Sequence, residues 1–167
     1  MTVTDVRTST DDLTLVFTCE FDASPEQVWR LWADPRLLER WWGPPSHPAT
    51  VTEHDLVPGG LVRYHMTGPD GETYPGGFRF TQVEPPTALA LEDFFADEAG
   101  QPDPNMPTST TRVQIEGAAD GTTRMTLTST SPSLEAMNQL LEMGAVEGMT
   151  AALGQIDTLL ESARSSA

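Results

Sequence analysis

Between Leu13 and Phe21 the apolar residues Leu13, Leu15, Phe17, Cys19 and Phe21 alternate with Thr14, Thr18 and Glu20, and only Val16 breaks the rhythm. A period of two predicts a strand with one buried face. The pattern changes at Ser24-Pro25-Glu26-Gln27, which combines an N-cap serine, a first-turn proline and a Gln at the reciprocal position of a capping box. Val28, Leu31 and Trp32 follow at helical spacing. Asp34-Pro35 ends that helix and caps a second, whose apolar stripe is Leu37, Leu38, Trp41 and Trp42, before Gly43-Pro44-Pro45 stops it.

Turn chemistry then punctuates the chain at Pro58-Gly59-Gly60, Gly68-Pro69-Asp70-Gly71, Glu84-Pro85-Pro86 and Ala119-Asp120-Gly121. Strands are predicted near 49–56, 61–67, 73–83, 88–95, 110–117 and 123–130. The acidic, Pro-rich segment 96–107 is expected to be a mobile loop and a lid, because Pro102, Pro104 and Pro107 disfavour pairing while Asp97, Glu98 and Asp103 favour solvation. Beyond Ser131-Pro132-Ser133 a helical period lasts to about Ser162, with Met137, Leu141, Met149, Leu153, Ile156 and Leu160 as its buried stripe. Gly144 and Gly148 interrupt it at about 1 kcal/mol each against Ala, which points to close packing or a bend.

Strands in an uninterrupted run, without crossover helices, require an antiparallel sheet. The predicted class is therefore α+β, with a curved antiparallel sheet wrapped on a long C-terminal helix and two short helices after the first strand. At 167 residues one domain is expected over 1–167, with its core at about 11–163 and with 1–10 and 164–167 flexible. The formal charge of -16, with nine basic residues that are all Arg, disfavours nucleic acid and anionic membrane surfaces. Cys19 is the only cysteine, and the start MTVTDVRTST lacks the basic and apolar features of a signal peptide. A soluble cytoplasmic protein is expected.

Several runs match one family in order and spacing. They are Phe21-Asp22-Ala23-Ser24-Pro25-Glu26-Gln27-Val28-Trp29, Asp34-Pro35, Arg40-Trp41-Trp42-Gly43-Pro44, Glu53 to Gly60, Met66 to Gly71, Gly77-Phe78, Val83 to Pro86, Thr123 to Thr128 and Gly148-Met149. Over roughly Asp11 to Glu161 the chain resembles the SRPBCC superfamily, and within it the branch similar to the activator of heat-shock-protein-90 ATPase. The resemblance implies a START-like helix-grip fold, related to hydrophobic-ligand binders and polyketide cyclases, with a cavity between sheet and long helix. It implies no particular reaction.

Candidate chemistry is sparse. His47, His54 and His65 show no metal-ligand spacing; His54 and His65 are expected to share one face of a hairpin as solvated residues, and His47 to lie in a loop. No nucleophile elbow or phosphate loop is present, and Cys19 reads as inert packing. Glu53 and Asp55 stand at i and i+2 on a strand and so share a face, where they suit a general acid or base or, more simply, pair with Arg63, Arg79, Arg112 or Arg124. No cofactor and no metal is expected.

A reversal at Pro58-Gly59-Gly60 in simple register sets Leu56, His54 and Thr52 with Leu61, Arg63 and His65 on one face. It sets Val51, Glu53 and Asp55 with Val62, Tyr64 and Met66 on the other. The second face is the better cavity wall, since Arg63 and His65 are costly to bury unpaired. Phe78 and Phe80 continue it, Met149, Leu153 and Ile156 face it from the long helix, Trp41 or Trp42 stands at its mouth, and Glu53 and Asp55 supply a polar anchor. The expected partner is a small apolar molecule, with a homodimer left open. The alternatives are a cyclase-, dehydratase- or hydrolase-like enzyme using Glu53, Asp55, His65 or Tyr64, and a co-chaperone-like interaction module.

Overall fold

The computed structural model describes residues 3–165, with side chains up to Ser162. Eight strands form one antiparallel sheet: β1 Val3–Ser9, β2 Thr14–Phe21, β3 Ala49–His54, β4 Leu61–Thr67, β5 Thr73–Glu84, β6 Ala88–Phe95, β7 Ser109–Gly117 and β8 Thr123–Thr130. Their order is β1-β2-β8-β7-β6-β5-β4-β3. Helices α1 Pro25–Ala33 and α2 Pro35–Trp41 bridge β2 to β3, and α3 Leu134–Glu142, α4 Ala145–Leu153 and α5 Ile156–Ser165 follow the sheet. This is the helix-grip α+β fold, a curved antiparallel sheet closed on its concave side by the C-terminal helices. No helix among the described residues is long and apolar enough to cross a membrane.

The local signals act as their chemistry requires. On β2, Leu15, Phe17, Cys19 and Phe21 are buried. Ser24 accepts from the Gln27 N–H while the Ser24 N–H donates to the Gln27 side chain, closing the capping box of α1. Asp34 ends α1 and caps α2 through the Arg36 N–H.

Two expectations are corrected. The segment 1–10, set outside the core from sequence, contributes β1, which pairs along β2 at the sheet edge; Met1, Thr2 and residues 166–167 lie outside the described residues. The C-terminal helix is not continuous. It breaks at Gly144, whose φ of 81° is a left-handed conformation that glycine adopts freely, and again between α4 and α5. The segment 96–107 is an irregular, mostly exposed loop built from turns, with Asp97 accepting from the N–H groups of Ala99 and Gln101, an isolated bridge joining Ala96 to Pro102, and Pro107 buried.

The core centres on α1, α2 and the inward residues of β4 to β8. Trp32, Trp41, Phe78, Phe80, Leu89, Val113 and Met125 are fully buried. Trp32 and Trp41 meet edge to face at 4.9 Å, and Trp42 packs at 5.5 Å from Trp41 and 5.2 Å from Phe78. The Trp41 indole N–H donates to the Leu31 carbonyl at 2.9 Å, so the buried ring leaves no donor unpaired.

Candidate functional site

Strand pairing decides what faces the concave side. Val62 pairs with Phe78, Phe78 with Asp93 and Asp93 with Ser109, while Tyr64 pairs with Gly76 and Gly76 with Phe95. Directly paired residues share a face. Asp93 therefore points to the same side as buried Phe78, and Tyr64 to the same side as Phe95. Gly76 is required there, because a Cβ at that position would lie 2.8 Å from the Tyr64 ring carbon and hydroxyl.

Tyr64, Asp93, Phe95 and Ser109 border a cavity of about 220 Å³ between the sheet and α3 and α4, lined as well by Trp42, Met66, Leu140, Ala145, Gly148 and Met149 among others. A deeper recess of about 90 Å³ shares Trp42, Asp93, Ser109, Leu140, Ala145 and Met149 with it and adds Phe17, Thr111 and Ser129. A larger opening of about 460 Å³ borders Arg79, Glu92, Asp93, Phe94, Ser109 and Thr110. Arg79, Glu92 and Thr110 are exposed and occupy the alternate register positions, so this groove runs mainly along the convex wall of the sheet and meets Asp93 and Ser109 at its rim. The concave cavity is the better site, since it sets the half-buried Asp93 beside Tyr64 in a mostly apolar lining without a basic side chain.

That group is Asp93. Burial pushes its carboxyl up from 3.8 to about 7, and only a hydrogen bond from the Phe94 backbone acts in the opposite direction. Burial, with the Asp93 charge next in effect, pushes the Tyr64 phenol well above its ordinary value against a hydrogen bond with the Trp42 side chain. No Arg or His lines either the cavity or its recess.

The twelve residues proposed from sequence divide into three sets. Trp42, Tyr64, Met66 and Met149 line the cavity. Trp41, Val62, Phe78, Phe80, Leu153 and Ile156 are packed in the core behind it. Glu53 and Asp55 lie elsewhere, because a bulge falls between Val51, paired with Tyr64, and Glu53, paired with Arg63. The extra residue, Thr52, turns Glu53 outward, where its carboxylate meets the Arg63 guanidinium at 3.3 Å, and Asp55 is exposed.

The same bulge separates the two histidines that simple register put together. His54 pairs with Val62 on the inner face, and its Nε2 is 2.9 Å from the Trp32 carbonyl beside Phe80, so it is not a solvated residue. His65 pairs with Thr50 and Pro75 on the opposite face. His47 lies in the loop after α2, its Nδ1 2.8 Å from the Ser46 hydroxyl. Cys19 is fully buried on β2, and burial, with Asp157 adding to it, pushes its thiol up to about 12. A thiol that stays protonated there is packing, not a nucleophile.

Gly148 is explained by neither close packing nor a bend, since it lies within α4 and a Cβ there would meet nothing within 4 Å. It borders the cavity and leaves space open. Asp93, Phe95 and Ser109 were missed from sequence, although alternation along Leu89, Leu91, Asp93 and Phe95 carried the signal.

An enclosure of this kind, under a broken helix on the concave side of the sheet, places the chain in the helix-grip class. The chain belongs to the family described as Activator of Hsp90 ATPase homolog 1-like protein, whose pattern matches residues 22–161. A crystal structure of a Mycobacterium smegmatis protein is 50% identical, with a TM-score of 0.86, over 95% of this chain and 96% of that one. A solution structure of an Arthrobacter aurescens protein is 43% identical, with a TM-score of 0.92, over 96% and 93%. A Silicibacter pomeroyi AHSA1 protein, 22% identical with a TM-score of 0.70 over 89% and 97%, shares the fold. Among curated proteins none matches.

Proposed function

We propose that this domain binds a small, mostly apolar molecule in the cavity between the sheet and α3 and α4, with Asp93 and Tyr64 as its polar anchor. The observation that carries this reading is a carboxyl group held in an apolar enclosure without an ion-pair partner among the described residues. A protein that had no use for Asp93 would lower its burial cost by placing an apolar residue at that point of the wall. Gly148 supports the reading as well, since it sacrifices helix stability where a side chain would occupy the opening.

The test is titration with a neutral apolar fluorophore such as N-phenyl-1-naphthylamine, followed by native mass spectrometry. Near-stoichiometric binding is expected, and Gly148→Leu should abolish it while leaving the fold intact. Failure of the unsubstituted protein to bind any neutral or charged apolar probe would overturn the reading.

A second reading, acid–base chemistry on the bound molecule, is favoured by the fact that Asp93 and Tyr64 face the same enclosure and interact electrostatically. It shifts the sequence-based enzyme alternative from Glu53, Asp55 and His65 to Asp93, keeping Tyr64. Deuterium exchange at the α-carbon of a small apolar ketone, lost in Asp93→Asn, would support it.

A further inference from the structure

Asp93 enters the cavity from β6 with no basic side chain beside it in the lining, and Arg79 from β5 meets it only along the rim of the outer groove, where Glu92 stands as well. Tyr64 from β4 is the other titratable group facing it, and its phenol stays protonated. Ser109 from β7, Phe78 from β5, Trp42 from the end of α2, Leu140 from α3 and Ala145 and Met149 from α4 are uncharged. The arginines on the neighbouring strands turn away: Arg79 pairs with Glu92 and Arg63 with Gly77, one position out of step with the inward row. The chain as a whole carries a formal charge of -16.

A neutral hydrocarbon in this cavity would leave the carboxylate dehydrated and unpaired, and an anion would meet both Asp93 and the field of the whole chain. A protonated nitrogen satisfies the carboxylate directly, and charge-assisted hydrogen bonds are the stronger kind. We propose that the cavity ligand is a small apolar amine, its hydrocarbon or aromatic body against Trp42, Met66, Phe95 and Met149 and its ammonium donating to the Asp93 carboxylate. The Tyr64 and Ser109 hydroxyl oxygens stand ready to accept its remaining N–H groups. This rests on the reading that the cavity binds a small molecule, and it names the chemistry of that molecule.

The pH dependence follows in sign. The amine binds the ionised carboxylate, so affinity rises as pH climbs through the Asp93 value of about 7 and levels off above it. A neutral isostere gains nothing from that ionisation.

The experiment is titration of the intact chain with 1-naphthylmethylamine and, in parallel, 1-methylnaphthalene, by calorimetry or by quenching of tryptophan fluorescence. The amine is expected to bind about tenfold more tightly at about pH 8 than at about pH 6, with the isostere flat or opposite in trend. Asp93→Asn should flatten the amine profile and bring its affinity down to that of the isostere. If the isostere binds and the amine binds no better or without pH dependence, the amine assignment falls while the cavity reading stands. If neither binds, the cavity reading falls with it. Should Asp93→Asn not fold, the two profiles of the unsubstituted protein decide the matter.

Discussion

The space between sheet and helices is filled at one end and open at the other. Under α1 and α2 it holds Leu31, Trp32, Leu38, Trp41, Phe80 and Val62, all essentially without solvent exposure. Under α3 and α4 the same sheet presents Asp93, Ser109, Thr111 and Ser129, and the helices answer with Leu140, Ala145, Gly148 and Met149 around a void. Trp42 is the wall between the two ends, touching Trp32, Trp41 and Phe78 on one side and the cavity on the other. One sheet therefore supports both a packed core and a ligand space. The difference is made by helix side-chain volume, large in the tryptophan helices and small along Ala145 to Ala152.

The largest expected effect tests that contrast directly. Trp41→Ala should destabilise the fold by about 3–5 kcal/mol, since its ring is enclosed on all sides and its indole N–H bond is lost. Met149→Ala should cost about 2 kcal/mol or less, because its side chain already borders a void. Chemical denaturation of both variants gives the comparison, and equal losses would mean that the second end is packed as tightly as the first.

Asp93→Asn comes next, with the opposite sign. Because the folded carboxyl value of about 7 lies above the ordinary 3.8, the unfolded chain ionises first and stability falls as pH rises between them, levelling off beyond the folded value. Asn carries no such burden. The variant should gain over the parent progressively from mildly acid pH to neutrality, by no more than about 4 kcal/mol above pH 7. Thermal melts across that range check it, and a constant or negative difference would show that Asp93 has a partner that stabilises its charge.

Gln155 joins the two ends. Its amide sits between α4 and α5 and donates to the Gly43 carbonyl at 2.8 Å and the Trp41 carbonyl at 3.4 Å, pinning the end of α2 under the C-terminal helices. Gln155→Ala should cost about 1–3 kcal/mol through carbonyls left unpaired. It should also weaken probe binding, since Trp42 lies between the two anchored residues. Stability loss without any change in binding would mean that the cavity wall holds its position independently.

Most of the fold was legible because its signals are local. The Ser24 to Gln27 capping box, the Asp34-Pro35 junction and the alternation from Leu15 to Phe21 each fix a short piece of backbone by chemistry contained in that piece. The candidate site was only partly legible, because it depends on register between strands. One unpaired residue, Thr52, reverses the facing of Glu53 and His54 relative to simple pairing, and nothing in Thr52 itself marks a bulge. β1 escaped notice for a different reason: Thr4, Asp5, Arg7 and Thr8 leave it almost no apolar face, so its place is set by pairing with β2 rather than by burial. Gly144 as a break was readable, but only as one of two explanations for a glycine in a helix.

The smallest effect is expected at Glu53, the carboxylate that sequence alone made the polar anchor. Its Oε2 lies 3.3 Å from Arg63 Nε, with side chains 50% and 35% exposed, so water and salt screen the pair on the outer face of the hairpin. Pairs of this kind contribute about 0–1 kcal/mol, and Glu53→Gln should cost an amount in that range that shrinks further as salt is added. It should leave the binding of neutral and amine probes unchanged, because the bulge at Thr52 directs the side chain away from the cavity. Asp93→Asn alters the same functional group on the same sheet, yet it should raise stability and remove the pH dependence of amine binding. Denaturation of Glu53→Gln at low and high salt, beside probe titrations at neutral pH, separates the two carboxylates. A pH-dependent gain in stability for Glu53→Gln like that of Asp93→Asn would place Glu53 inside the cavity and refute the bulged register.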